Sequence, residues 1–134
     1  MSEAKTRVTQ RENPIRVNDA QYSAELVNDP NGRPVVRFRG TISSPNPSAV
    51  LNGFVDSVHQ RLVESGVDSV QVDFRELEFC NSSGFKTFVR WIERIRGGGS
   101  PPYQLNFVMS PTRRWQRTSL LALSCFAPDQ VRLP

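Results

Sequence analysis

The spacing of apolar residues changes twice between residues 49 and 95, and this limits the fold more than any other feature. Leu51, Val55, Val58 and Leu62 fall at i, i+4, i+7 and i+11, one buried stripe of a helix expected from about Ala49 to Glu64. Gly66 stops it. Val70, Val72 and Phe74 then alternate with Ser69, Gln71 and Asp73, the pattern of a strand. Leu77 and Phe79 continue this extended apolar segment. From Ser83 to Ile95 the helical spacing returns: Phe85, Phe88, Val89, Ile92 and Ile95 share one side, and Lys86, Arg90 and Glu93 take the other. Helix, strand and helix in close succession are the core of an α/β fold.

The flanking segments extend this pattern. Tyr22 to Val27 is expected to be a short strand. Asp29-Pro30-Asn31-Gly32 is a turn signal, and its Asn-Gly step favours a tight hairpin. Val35 to Ile42 follows as a strand with an apolar side (Val36, Phe38, Gly40) and a basic side (Arg37, Arg39). Ser48 is placed to cap the first helix. Tyr103 to Met109 reads as another strand, Thr112 to Phe126 as a third helix and Val131 to Leu133 as a short closing strand. The fold class is therefore α/β: a single domain with a mixed, mostly parallel sheet of about five strands covered by about three to four helices. Residues 1–19 lack apolar periodicity and are expected to be a flexible arm on a domain spanning 20–134.

Composition narrows the function classes. No apolar run approaches the ~20 residues of a membrane span, and the stretch from Met1 to Gln21 has no hydrophobic signal region. A cytoplasmic protein without a membrane partner is expected. Cys80 and Cys125 are far apart in sequence and read as free thiols. A single histidine, His59, rules out a histidine-rich metal site. The net charge of +4 is uneven. Residues 86–96 carry Lys86, Arg90, Arg94 and Arg96 against Glu93, and Arg113, Arg114 and Arg117 follow, whereas residues 21–85 are net acidic. Such basic segments suit an acidic partner, nucleic acid or simply a solvated helix face.

The junction Asn81-Ser82-Ser83-Gly84 joins strand to helix. Backbone N–H groups lack intrahelical partners there, and the helix dipole favours an anion. Ser82 is open to three readings: helix cap, nucleophile or phosphorylation site. Ser83 reads as structural, bonding a backbone group. Gly84 serves either close backbone approach or an unusual dihedral. A catalytic pair of Cys80 with His59 is the enzyme reading. It lacks an orienting acid, with Cys80 expected to pack inward and His59 to sit at the surface or boundary. Trp91 and Trp115 read as core or interface anchors, with packing against the sheet favoured for Trp115.

Three segments in this order resemble the STAS domain family of bacterial anti-sigma factor antagonists. They are the strand Val35 to Ile42 with its late glycine, the strand Val70 to Phe79 with Asp73, and Asn81-Ser82-Ser83-Gly84-Phe85 in place of that family's Asp-Ser-Ser-Gly-Leu loop. The resemblance spans roughly Ala24 to Leu133. It implies a binding protein rather than an enzyme, with no catalytic residues, cofactor or metal. The implied function is partner switching in signal transduction that regulates transcription. An anti-sigma factor that is also a serine kinase phosphorylates Ser82, and a serine phosphatase reverses it. The partner-binding loop would comprise Asn81, Ser82, Ser83, Gly84 and Lys86. Asn81 stands where the family usually has aspartate, so one negative charge is missing. Two alternatives follow: a STAS-fold scaffold or small-ligand sensor not controlled by phosphorylation, and a nucleic-acid binder through the basic C-terminal helices.

Overall fold

A computed structural model describes residues 14–99 and 101–134. The strands are β1 (Arg16–Asn18), β2 (Tyr22–Asn28), β3 (Pro34–Ile42), β4 (Ser69–Cys80), β5 (Gln104–Val108) and β6 (Val131–Arg132). The helices are α1 (Ser48–Ser65), α2 (Ser82–Gly97) and α3 (Arg114–Phe126). The strands lie in sheet order β1-β2-β3-β4-β5-β6. β1, β2 and β3 pair antiparallel, and β3 to β6 pair parallel. The α/β class and the mixed, mostly parallel sheet are as the sequence implies, with six strands rather than about five. The added strand, β1, falls within residues 1–19 and pairs along β2, Arg16 opposite Glu25. The rest of the expected arm, residues 1–13, lies outside the described residues.

Each parallel step moves one strand along the sheet in the same direction. Right-handed crossovers therefore place α1, α2 and α3 on one face. That face of the sheet carries Ala24, Val36, Phe38, Val72, Phe74, Leu105 and Phe107, all buried against the helices. Phe38, Phe74 and Phe88 meet edge to face, with centroids 5.2–5.7 Å apart, a geometry that favours the ring quadrupoles. On the opposite face a charged row crosses three strands. Arg37 lies 3.8 Å from both Glu25 and Asp73, so the basic side of β3 is largely neutralised by its neighbours.

Local departures from the sequence reading have physical causes. The β2–β3 connection is wider than a tight Asn-Gly hairpin. Asn28 pairs with Pro34, and Asp29 Oδ1 accepts from Asn31 N and Arg33 N at 2.8 and 2.9 Å. Ser48 does not cap α1; its hydroxyl donates to Asn46 Oδ1 at 3.0 Å. His59 is buried rather than at the boundary: Nδ1 lies 2.7 Å from the Tyr103 hydroxyl, whose oxygen accepts from Trp91 Nε1 at 2.8 Å. Gly40 has φ of 89°, and a Cβ there would run into the Gln21 carbonyl oxygen, so only glycine is tolerated at this crossing of β2 and β3.

β4 is the irregular strand. Arg37 pairs with Asp73 and Arg39 with Glu76, so β4 holds one more residue than β3 over this stretch. The bulge shifts the side-chain alternation. Phe74 and Leu77 both point into the core, while Phe79, expected to continue the apolar strand, is 46% exposed.

Candidate functional site

The site is built at the C-terminal edge of the sheet, where loops after parallel strands hold function in folds of this kind. α1 and α2 run side by side in the same direction. Asn52 meets Thr87 at 3.4 Å, and Asp56 meets Arg90 and Arg94 at 3.0 and 2.7 Å. Their N-termini therefore lie at the same edge, together with the loop between β3 and α1 and the end of β4.

Asn81 organises this edge. Its backbone is extended and its Oδ1 accepts from Gly84 N at 2.8 Å, which makes it the N-cap of α2. Its Nδ2 donates to Ser44 O at 2.9 Å, and its N–H to Ile42 O at 2.9 Å. One side chain thus caps the helix and ties it to the β3–α1 loop.

Because Asn81 is the cap, Ser82 is not. Ser82 occupies the first position of α2 and is exposed. Ser83 is half-buried beside it. Gly84 is buried, and its role is close approach: a Cβ would stand 2.7 Å from Ile42 Cγ2 and 3.0 Å from Cys80 Sγ. Lys86 is exposed one turn beyond Ser82. The five loop residues named from sequence thus lie within the first two turns of α2 and its cap. Phe79, 46% exposed, precedes them on β4, and Val50, 50% exposed, stands in the first turn of α1. Both were invisible as surface residues in the sequence.

Cys80 packs under this edge. Burial pushes its thiol up to about 12, so it is protonated at neutral pH. His59 lies far from it, beside Tyr103 at the other edge of the sheet. The two members of the catalytic pair considered from sequence are not brought together. Among the described residues no three His, Cys, Asp or Glu side chains form a metal-binding group, and no helix is long and apolar enough to cross a membrane.

Charges around the site are mostly paired. The Arg90 hydrogen bond holds the Asp56 carboxyl below its usual range, opposed by partial burial and reinforced by Arg94. Burial pushes Asp73 upward, yet Arg75, bonded through Nε at 3.0 Å, NH2 at 2.8 Å and its backbone N at 2.9 Å, holds it lower overall with help from Arg37. Arg90 and Arg94 are thus both engaged by Asp56 of α1.

Two contacts link the site to α3 and were missed from sequence. Trp115 Nε1 donates to Glu78 O at 2.9 Å. Gln116 is fully buried, and its Nε2 donates to Phe74 O and Leu77 O at 2.7 and 2.8 Å. Its Oε1 accepts from Ser110 N at 2.8 Å. Both carbonyls lie on β4 beyond its last pairing with β5, at Asp73, and α3 supplies their donor.

No protein-family model matches the chain, and no curated protein matches it. Several solved structures are similar, and two of them are described. One is an antisigma-factor antagonist STAS domain from Rhodobacter sphaeroides, 14% identical over 68% of this chain and 89% of that one, with a TM-score of 0.42. The other is an anti-sigma factor antagonist from Mycobacterium paratuberculosis, 18% identical over 87% of this chain and 90% of that one, with a TM-score of 0.56. The second likeness establishes the architecture: this chain has a STAS-like fold.

Proposed function

We propose that the chain is a protein-binding regulatory module of the anti-sigma factor antagonist kind, switched by phosphorylation of Ser82. The observation that carries this reading is the division of labour at the start of α2. Asn81 caps the helix, and Ser82 is exposed beside it with no part in the cap. A serine required for capping is costly to modify; this one is not. Its partners on this reading are an anti-sigma factor acting as serine kinase and a serine phosphatase, in the cytoplasm of a bacterium. The unmodified loop Asn81, Ser82, Ser83, Gly84 and Lys86 binds the partner, with Phe79 and Val50 as apolar anchors on the rim.

Phosphorylation adds about −1.5 to −2 charge and three acceptor oxygens. In the free chain that charge meets the positive end of α2 and has Lys86 one turn away. In a closed interface it must be desolvated, which is costly. The fold survives and binding is lost. The test is intact-mass measurement after incubation with a kinase-type anti-sigma factor and ATP, paired with affinity capture by wild-type and Ser82→Asp protein. One added phosphate at Ser82 and loss of the captured partner are expected. No modification, with unchanged capture by Ser82→Asp, overturns the reading.

Asn81 favours a second reading, a STAS-fold scaffold or small-ligand sensor without phosphorylation. Its Nδ2 is held by Ser44 O, and the loop lacks the carboxylate found in the family motif. On that reading Ser82→Ala protein regulates normally in cells.

A further inference from the structure

α3 buries one side and leaves a second apolar stripe on the other. Gln116, Leu120 and Leu123 are buried, and Ala127 follows on the same side. Thr118, Leu121, Ala122 and Cys125 lie on the opposite, exposed side at helical spacing. An uncharged thiol such as Cys125 packs as a small apolar group. Leu121 is 44% exposed. Phe126, at the border of the stripe, is 45% exposed and lies under the Arg96 guanidinium, 5.8 Å from its ring centroid. No charge falls within the stripe, but its two ends carry opposite charges: Arg114 and Arg117 before it, Asp129 after it. All three are exposed, and none joins an ion pair among the described residues. Asp129 stands in the turn that closes on the helix end, where Ala127 O accepts from Gln130 N and Val131 N.

We propose that this stripe is the contact face of a homodimer, in which α3 packs antiparallel on α3 of a second copy. A twofold interface uses the same patch on both subunits, so the patch must complement itself. This one does, because its cationic and anionic ends flank an apolar centre. With the axis at the level of Leu123, Leu121 faces Cys125 of the second copy and Arg117 faces its Asp129, and each contact occurs twice. Parallel packing would set Arg117 against Arg117 and Asp129 against Asp129, which is repulsive. A partner of a single charge sign would leave one end of the stripe unanswered. Two short helices in contact bury less than the roughly 1,200–2,000 Å² of a standard interface, so the dimer is weak and reversible. The stripe occupies the half of α3 that points away from the Ser82 edge, and the assignment does not rest on Ser82.

Sedimentation equilibrium of the whole chain from about 1 μM to about 1 mM tests it. A reversible monomer–dimer equilibrium is expected. Leu121→Glu, at the apolar centre, abolishes the dimer over this range. Arg117→Asp and Asp129→Arg each weaken dimerisation about tenfold or more. The double variant reverses both charges and recovers to within about threefold of wild type. All three side chains are exposed, so an unchanged melting temperature is expected in each variant. Arg33→Asp, in the turn between β2 and β3, changes the net charge as Arg117→Asp does and leaves dimerisation unchanged. A dimer that survives Leu121→Glu, or one that the double variant fails to recover, overturns the proposal. Equal weakening by Arg33→Asp overturns it too, since net charge would then be the cause. A chain that stays monomeric throughout overturns it and reassigns the stripe to a different protein.

Discussion

Asn81 uses both ends of its amide, and this distinguishes it from the aspartate of the family motif. An aspartate keeps the acceptor for Gly84 N but places a carboxylate oxygen where Nδ2 now donates to Ser44 O. The cap survives and the tie to the β3–α1 loop does not. Asn81→Ala loses both and is expected to destabilise the chain by about 1–2 kcal/mol in urea unfolding. Asn81→Asp falls between wild type and alanine, and its loss is local: faster amide hydrogen exchange in residues 43–47 with little change across α2. Gly84 sets a second limit. A methyl group at this position meets Ile42 and Cys80 in the packed interior, so Gly84→Ala costs about 1–3 kcal/mol, read by the same unfolding experiment. Ser82→Ala, by contrast, touches an exposed hydroxyl outside the cap and leaves stability within about 0.5 kcal/mol.

At the scale of elements, β4 depends on α3. Pairing of β4 with β5 ends at Asp73, and beyond it one buried glutamine donates to two β4 carbonyls, Phe74 O and Leu77 O. Gln116→Leu keeps the volume but removes three hydrogen bonds and leaves buried acceptors unpaired. A loss of about 3 kcal/mol is expected, measured as a shift in the urea midpoint with unchanged slope. This contact also explains the limits of the sequence reading. The strands and helices were legible because their apolar periods are regular: Leu51 to Leu62, Val70 to Phe74 and Phe85 to Ile95. The loop Asn81 to Gly84 was legible because it joins two such periods. The β4 bulge was not, since an inserted residue only looks like a continued apolar run, and Phe79 reads as part of that run although it is exposed. Gln116 and Ser44 gave no signal either, because a polar residue buried by distant partners has the same local pattern as an exposed one.

For the whole molecule, the two edges of the sheet carry different chemistry. The C-terminal edge gathers the exposed Ser82, the loop held by Asn81 and the start of α3, whose Arg114 and Arg117 join no ion pair among the described residues. The N-terminal edge is closed by the buried hydrogen-bonded chain Trp91–Tyr103–His59, which joins α1, α2 and the entry to β5. Trp91 donates to the phenol oxygen, and a neutral imidazole with its lone pair on Nδ1 accepts the phenol proton and completes the network. Burial lowers the His59 pKa from its ordinary 6.5, and Arg94 lowers it further against the opposing pull of Asp56. In the unfolded chain the imidazole binds a proton more readily than in the native one. Unfolding therefore takes up protons once the pH drops below about 6.5, and stability falls with pH in that window. The contribution is fully present above pH 6.5 and is lost toward the lower folded value. Asp56 and Asp73, whose carboxyls are held below their ordinary 3.8, lose their contributions only at more acid pH. Urea unfolding at pH 7 and pH 5 thus isolates the histidine. Wild type is expected to be less stable at pH 5. His59→Gln, which keeps a hydrogen-bonding side chain but cannot ionise, is expected to lower stability at pH 7 and to flatten the difference between the two pH values. An undiminished pH dependence in that variant would place the titrating group elsewhere.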